Sequence, residues 1–141
     1  MDKSPAKENK QTNNYRQFKD HRSNKSYKIL VLDDEEDICL LISSILRKLG
    51  HQVICSHSLK EGKSDFTSFA PDLMFLDINL PDGNGLDDVP SFQNLNHDVR
   101  IIMISAYDFP QEMKMSEKLH VEFLRKPFNR EKILQAIQTI S

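Results

Sequence analysis

Five short apolar runs recur along this chain at even spacing and alternate with longer stretches of helical character, and no other feature limits its fold so tightly. They are Lys28 to Leu32 (KILVL), Gln52 to Cys55 (QVIC), Leu73 to Leu76 (LMFL), Arg100 to Ile104 (RIIMI) and Val121 to Leu124 (VEFL). Three of the five are almost wholly apolar. A strand with one face in water would alternate apolar and polar residues, whereas continuous apolar runs suit strands covered on both faces by crossover helices. Strands alternating with helices therefore predict an α/β fold with a mainly parallel sheet.

The segments between the runs differ in how clearly they read as helices. Ile38, Leu41, Ile42, Ile45 and Leu49 fall on one helical face with Cys39 beside it, and Gly50 follows as a C-terminal stop. Asn129 is placed to cap a last helix over Arg130 to Ile140, whose apolar face is Ile133, Leu134 and Ile137. Leu59 to Phe69 contains Gly62, and Pro110 to Leu119 is rich in methionine. Leu86 to Leu95 contains Pro90, which predicts a helix that starts late or is distorted there.

A length of 141 residues favours one domain. The net charge of -2 averages two unlike parts: the first 28 residues hold eight of the 19 basic and three of the 21 acidic residues, a balance of +5 against -7 for the rest. The expected division is a basic, disordered extension over 1–27 and a folded domain over 28–141, because the leading segment has only Tyr15 and Phe18 as large apolar residues before Tyr27. Cys39 and Cys55 lie in apolar periodic segments with no metal-ligand spacing, which reads as buried thiols in a reducing compartment. His21, His51, His57, His97 and His120 are scattered and read as surface or loop residues, not as zinc ligands. No run approaches the roughly 18 apolar residues of a membrane span, and no apolar leader opens the chain, so a cytoplasmic location is expected.

In an open parallel sheet, chemistry collects at the carboxyl ends of the strands. Asp33 and Asp34 follow the first run, Asp77 the third and Ser105 the fourth, and Lys126 lies just past the fifth. Each alone has an ordinary explanation as a cap, a turn former or a solvated charge. Together they amount to three carboxylates, a hydroxyl and an ammonium at one edge. Carboxylates within about 4 Å repel by roughly 4 kcal/mol per pair at an effective dielectric near 20, so the cluster needs a cation. An all-oxygen set with few protein ligands suits Mg²⁺, held mainly by Asp33 and Asp34, with Mn²⁺ an acceptable substitute. Asp77 is then placed to attack a phosphoryl group and form an acyl phosphate, with Lys126 and Ser105 meeting its oxygens.

The motifs VLDDEED, FLDINLPDGNGLD, MISAY and FLRKPF, in this order from about Lys28 to Ile140, resemble the receiver domains of two-component signalling, the chemotaxis-regulator-like family. The resemblance implies a flavodoxin-like, doubly wound sheet of five parallel strands in the order 2-1-3-4-5, with Asp77 as phosphoacceptor. It implies a metal set of Asp33, Asp34, Asp77 and the backbone carbonyl of Asn79. Ser105 matches the switch hydroxyl and Phe123 the aromatic whose rotamer follows it, and the bond from Lys126 to Pro127 is expected to be cis. Gly83 and Gly85, with Asp82 and Asn84, read as a turn. Asn79 and Tyr107 flank the acceptor and switch positions and are expected to tune loss of the phosphoryl group. Two departures concern the signalling side: Pro90, and Leu119 to Val121 where the family commonly has a Gly-Ala turn.

The implied activity is a phosphorylation-controlled signal, not turnover of an external substrate. A sensor histidine kinase or histidine phosphotransfer protein would be the donor and another protein the target, since no DNA-binding domain is legible in these residues. Two rival readings are a phosphorylation-independent scaffold of the same fold and a small phosphatase with an aspartate nucleophile. Intact Asp33, Asp34, Asp77, Ser105 and Lys126 count against the first, and the lack of any substrate-binding insertion against the second.

Overall fold

A computed structural model describes residues 25–106, 114 and 117–138. The five apolar runs become strands β1 (Lys28–Leu32), β2 (Gln52–Ser56), β3 (Leu73–Asp77), β6 (Arg100–Ser105) and β7 (Glu122–Arg125). They form one parallel sheet in the order β2-β1-β3-β6-β7, which is the predicted 2-1-3-4-5 once the short β4 (Asn79–Leu80) and β5 (Gly83–Asn84) are set aside. The helices are α1 (Glu36–Lys48), α2 (Leu59–Phe69), α3 (Val89–Leu95) and α4 (Arg130–Gln138).

The period-2 geometry of a strand divides the apolar runs between two cores. Ile29 and Val31 of β1, Leu73 and Phe75 of β3, and Ile102 and Ile104 of β6 join Ile42 and Leu46 of α1 and Ile133 and Ile137 of α4. Their neighbours Leu30, Leu32, Met74, Leu76, Ile101 and Met103 face the other way, against Phe66 of α2 and Val89 and Phe92 of α3. The central strands are apolar throughout because each feeds both layers. Burying one such side chain contributes about 1.5–3 kcal/mol, so these strands carry most of the cohesion.

Helix ends follow local chemistry. After α1, Gly50 takes φ 94° while its N–H donates to the Arg47 carbonyl (3.0 Å) and the His51 N–H to that of Leu46 (3.1 Å), a paired closure that glycine makes without steric cost. Asn129 caps α4 by accepting the Lys132 N–H at 3.0 Å. Pro90 falls in the first turn of α3, where its missing N–H has no partner to lose, and a 3₁₀ turn over Gly85–Asp88 leads in. The expected late start is therefore what forms. Ahead of β7, where the Gly-Ala turn is missing, His120 adopts a left-handed φ of 58°. Most of the Pro110 to Leu119 segment, with Tyr107, lies outside the described residues, as does the chain before Lys25.

Two expectations need correction. Cys39 and Cys55 are joined as a disulfide with Cα atoms 6.1 Å apart, not separate thiols, because α1 packs its inner face beside β2 and brings the two sulfurs together. His51 does lie between two elements, but it is buried: its Nδ1 accepts the Tyr27 N–H at 3.1 Å and its ring packs on Tyr27. Burial lowers its pKa, and the accepting Nδ1 carries no proton.

The connection after β3 is tight. β4 and β5 pair antiparallel about Pro81 and Asp82, and the Gly85 N–H donates to the Ile78 carbonyl at 2.7 Å. A side chain at Gly85 would strike the Asp77 carbonyl, a backbone atom that cannot rotate away. Gly85→Ala is expected to cost about 1–3 kcal/mol, read as a lower urea midpoint at unchanged slope. An unaltered midpoint would show that this approach is not tight.

Candidate functional site: an acidic pocket at the carboxyl edge

The ends of β1, β3 and β7 converge. Asp33, the residue after β1, is held by its N–H on the Ser56 carbonyl (3.1 Å), while its Oδ1 accepts the Glu35 N–H (2.8 Å). Asp77 closes β3, and its Oδ1 accepts the Asn79 N–H at 3.3 Å. One carboxylate oxygen each from Asp33, Asp34 and Asp77 can be chosen so that all lie within 4.8 Å of one another. Asp33 and Asp77 are buried, whereas Asp34 faces solvent.

Lys126 reaches in from beyond β7. Its Nζ stands 3.2 Å from Asp33 Oδ2, 3.5 Å from Asp77 Oδ2 and 2.9 Å from Glu35 Oε1. Its backbone N–H donates to the Ser105 carbonyl at 2.7 Å, and its peptide bond to Pro127 is cis. Ser105 ends β6, buried, one residue past Ile104, which is the register partner of Asp77. Phe123 pairs with Met103 and packs half-buried against the α2/α3 side of the core. Asn79 opens β4 with an exposed side chain.

One ammonium does not satisfy this many carboxylates. Burial first, then the neighbouring Asp33 carboxylate, pushes Asp77 up to about 7, against the opposing pull of Lys126 and the Asn79 N–H. Asp33 is also raised by its burial, despite the Glu35 N–H and Lys126. Burial works against the charge on Lys126, but its hydrogen bond to Glu35 and the fields of Asp33 and Asp77 prevail and raise its pKa. Asp33 Oδ2 is the telling atom: fully buried, it accepts no hydrogen bond, and although Lys126 Nζ lies 3.2 Å away the angle is wrong for one. A buried, unsatisfied carboxylate oxygen beside two others is what an oxygen-seeking divalent cation would complete, so the donor set fits Mg²⁺.

Three participants were invisible in the sequence. Glu35 sits within VLDDEED but meets Lys126 across 91 positions, a contact only the sheet order creates. His57 follows β2, and its Nδ1 lies 3.0 Å from the Asp33 carbonyl, a bond that requires the proton on Nδ1. Asp82, read as a turn former, accepts the Leu59 and Lys60 N–H groups (2.8 and 3.0 Å), which hold its carboxyl below the usual range and moor the hairpin to the start of α2.

The chain belongs to the response regulator receiver domain family, whose model matches residues 29–138. The family is a signalling module of two-component systems. Among individual relatives, the response regulator protein TodT of Pseudomonas putida is 32% identical over 119 residues, covering 84% of this chain and 52% of TodT. Sporulation initiation phosphotransferase F of Bacillus subtilis is 26% identical over 112 residues, covering 79% of this chain and 90% of that protein. The chemotaxis protein CheY4 of Vibrio cholerae superposes with a TM-score of 0.76 at 22% identity, covering 83% of this chain and all of CheY4, a likeness of fold. The chain spans about half the length of curated relatives such as TodT. Among the described residues, no helix is long and apolar enough to cross a membrane.

A carboxyl whose folded pKa is raised stabilises the fold while protonated. That contribution is complete below the ordinary value of 3.8 and is lost as pH rises through about 7. Without divalent ions, the melting temperature is expected to fall between about pH 5 and about pH 8 by at least about 4 °C. Mg²⁺ should restore it most at the alkaline end, and Asp77→Asn should flatten the profile. Calorimetry across that range checks all three, and a metal-free profile equally flat for both proteins would refute the electrostatic description.

Proposed function

We propose that this receiver domain is activated by phosphorylation of Asp77, the phosphoryl group coming from a sensor histidine kinase or a histidine phosphotransfer protein in the cytoplasm. The observation that carries the reading is the meeting of Asp33, Asp34 and Asp77 with Lys126 at one edge of the sheet. Asp33, Asp34, Asp77 and the backbone carbonyl of Asn79 would hold Mg²⁺ or Mn²⁺. When bound, the ion supplies the positive charge that lets neighbouring carboxylates ionise together and offsets charge on phosphoryl oxygens.

The remaining work falls to the chain itself. Ionised Asp77 attacks phosphorus through one carboxylate oxygen, a new O–P bond forms, and the bond from phosphorus to the donor's histidine nitrogen breaks. Lys126, mostly buried and fixed through its N–H on Ser105, meets one phosphoryl oxygen as a point charge. The Ser105 hydroxyl donates to another, and Phe123, on the strand beside it, follows that movement. The face that includes β7 and α4 then presents a different surface to a protein target. Residues 1–27 form a basic extension ahead of this unit, and Asn79 and Tyr107 tune how long the phosphoryl group persists.

Incubation with acetyl phosphate and Mg²⁺ is expected to add one phosphoryl group by intact mass, with none added to Asp77→Asn. Lys126→Ala should slow the addition on the order of 10²-fold. Addition that persists in Asp77→Asn, or none to a folded wild-type protein, would overturn the assignment.

A further inference from the structure

Glu35 occupies an unusual position for its chemistry. It stands at the N-cap of α1, where a carboxylate ordinarily accepts free N–H groups of the first turn, yet its side chain makes no capping bond. It reaches over the pocket instead and accepts a 2.9 Å hydrogen bond from Lys126 Nζ, the shortest of the three carboxylate contacts to that ammonium. The Glu35 backbone is committed in turn to the site it covers, since its N–H donates to Asp33 Oδ1.

The three partners of Lys126 are not equally able to let go. The Asp33 side chain has no exposed surface and that of Asp77 only 5%, whereas Glu35 is 58% exposed and can return to water with little loss. A phosphoryl group on Asp77 would replace its single carboxylate charge with a doubly charged group, a net gain of one negative charge beside an ammonium already bound to this outermost carboxylate. The two anions then compete for Lys126, and Glu35, the exposed partner, is the one that can leave with least loss.

We propose that Glu35 is a displaceable anionic latch: it holds Lys126 in the resting protein, competes with the incoming phosphoryl group for that ammonium, and swings into solvent when the group arrives. This inference rests on the phosphorylation reading of Asp77 and adds to it a residue that sets how readily the site is entered. Glu35 acts through Lys126 and is a positioning residue, not a catalytic one. Its removal should speed entry without weakening the hold on the cation, because the cation pocket is built from Asp33, Asp34 and Asp77.

The test compares wild type, Glu35→Gln and Glu35→Asp with acetyl phosphate at saturating Mg²⁺, using the second-order rate of phosphoryl addition from intact mass. Glu35→Gln is expected to react two- to fivefold faster, the range of a partly exposed ion pair. Glu35→Asp should behave likewise, since its shorter carboxylate falls back toward the helix N–H groups. The Mg²⁺ dissociation constant, measured separately, should be the same in all three. An unchanged or slower Glu35→Gln rate, a weakened Mg²⁺ constant, or an Asp variant matching wild type would each overturn the latch. If wild type takes no phosphoryl group at all, the reading of Asp77 fails by itself. The latch is then judged by the ¹⁵N signal of the Lys126 ammonium, which shifts in Glu35→Gln if the contact exists and stays in place if it does not.

Discussion

The crowding of Asp33 and Asp77 around one ammonium is the constraint from which the other features of this domain take their sense. Two buried carboxylates side by side oppose folding unless something positive is near, and Lys126 alone leaves Asp33 Oδ2 without a hydrogen bond. The fold bears that cost at the edge where three strands end, and offsets it with two apolar layers; among the described residues, Asp33 and Asp77 are the buried carboxylates. Such a division is common in α/β domains: the sheet interior supplies stability, and its carboxyl rim holds groups that would not assemble unaided.

The rim is held by backbone more than by side chains. Asp33 is fixed through Ser56, Asp77 lies in register with Ile104, and Lys126 hangs from Ser105. Strand pairing sets the distances among the charged groups, so the pocket is as rigid as the sheet beneath it. The side chains that decorate it, Glu35 and His57, lie on the connections after β1 and β2, where movement meets less resistance.

How much of this was legible beforehand depended on whether the signal was local. The strands showed as apolar runs, α1 as a stripe ended by Gly50, α4 by its Asn129 cap, and the late α3 by Pro90, because each reflects a few neighbouring residues. The meeting of Asp33, Asp34, Asp77 and Lys126 was legible for a related reason: strand ends can be located one at a time, and a parallel sheet gathers them. The contacts that escaped all join residues far apart in the chain. Nothing near Glu35 announces Lys126, nothing near Cys39 announces Cys55, and Asp82 carries the ordinary marks of a turn. His51 does lie in a loop, but its burial was not legible because the ring that covers it, Tyr27, stands 24 positions away.

The mooring of Asp82 on α2 bears on the short stretch behind Asp77. That stretch begins at Asp77 inside the sheet and is tied at its tip to Leu59 and Lys60, like a bridge deck resting on two piers. A deck held at both ends transmits load but has little sag. The main chain behind Asp77 is therefore joined to the first turn of α2, on the opposite face of the sheet from α4.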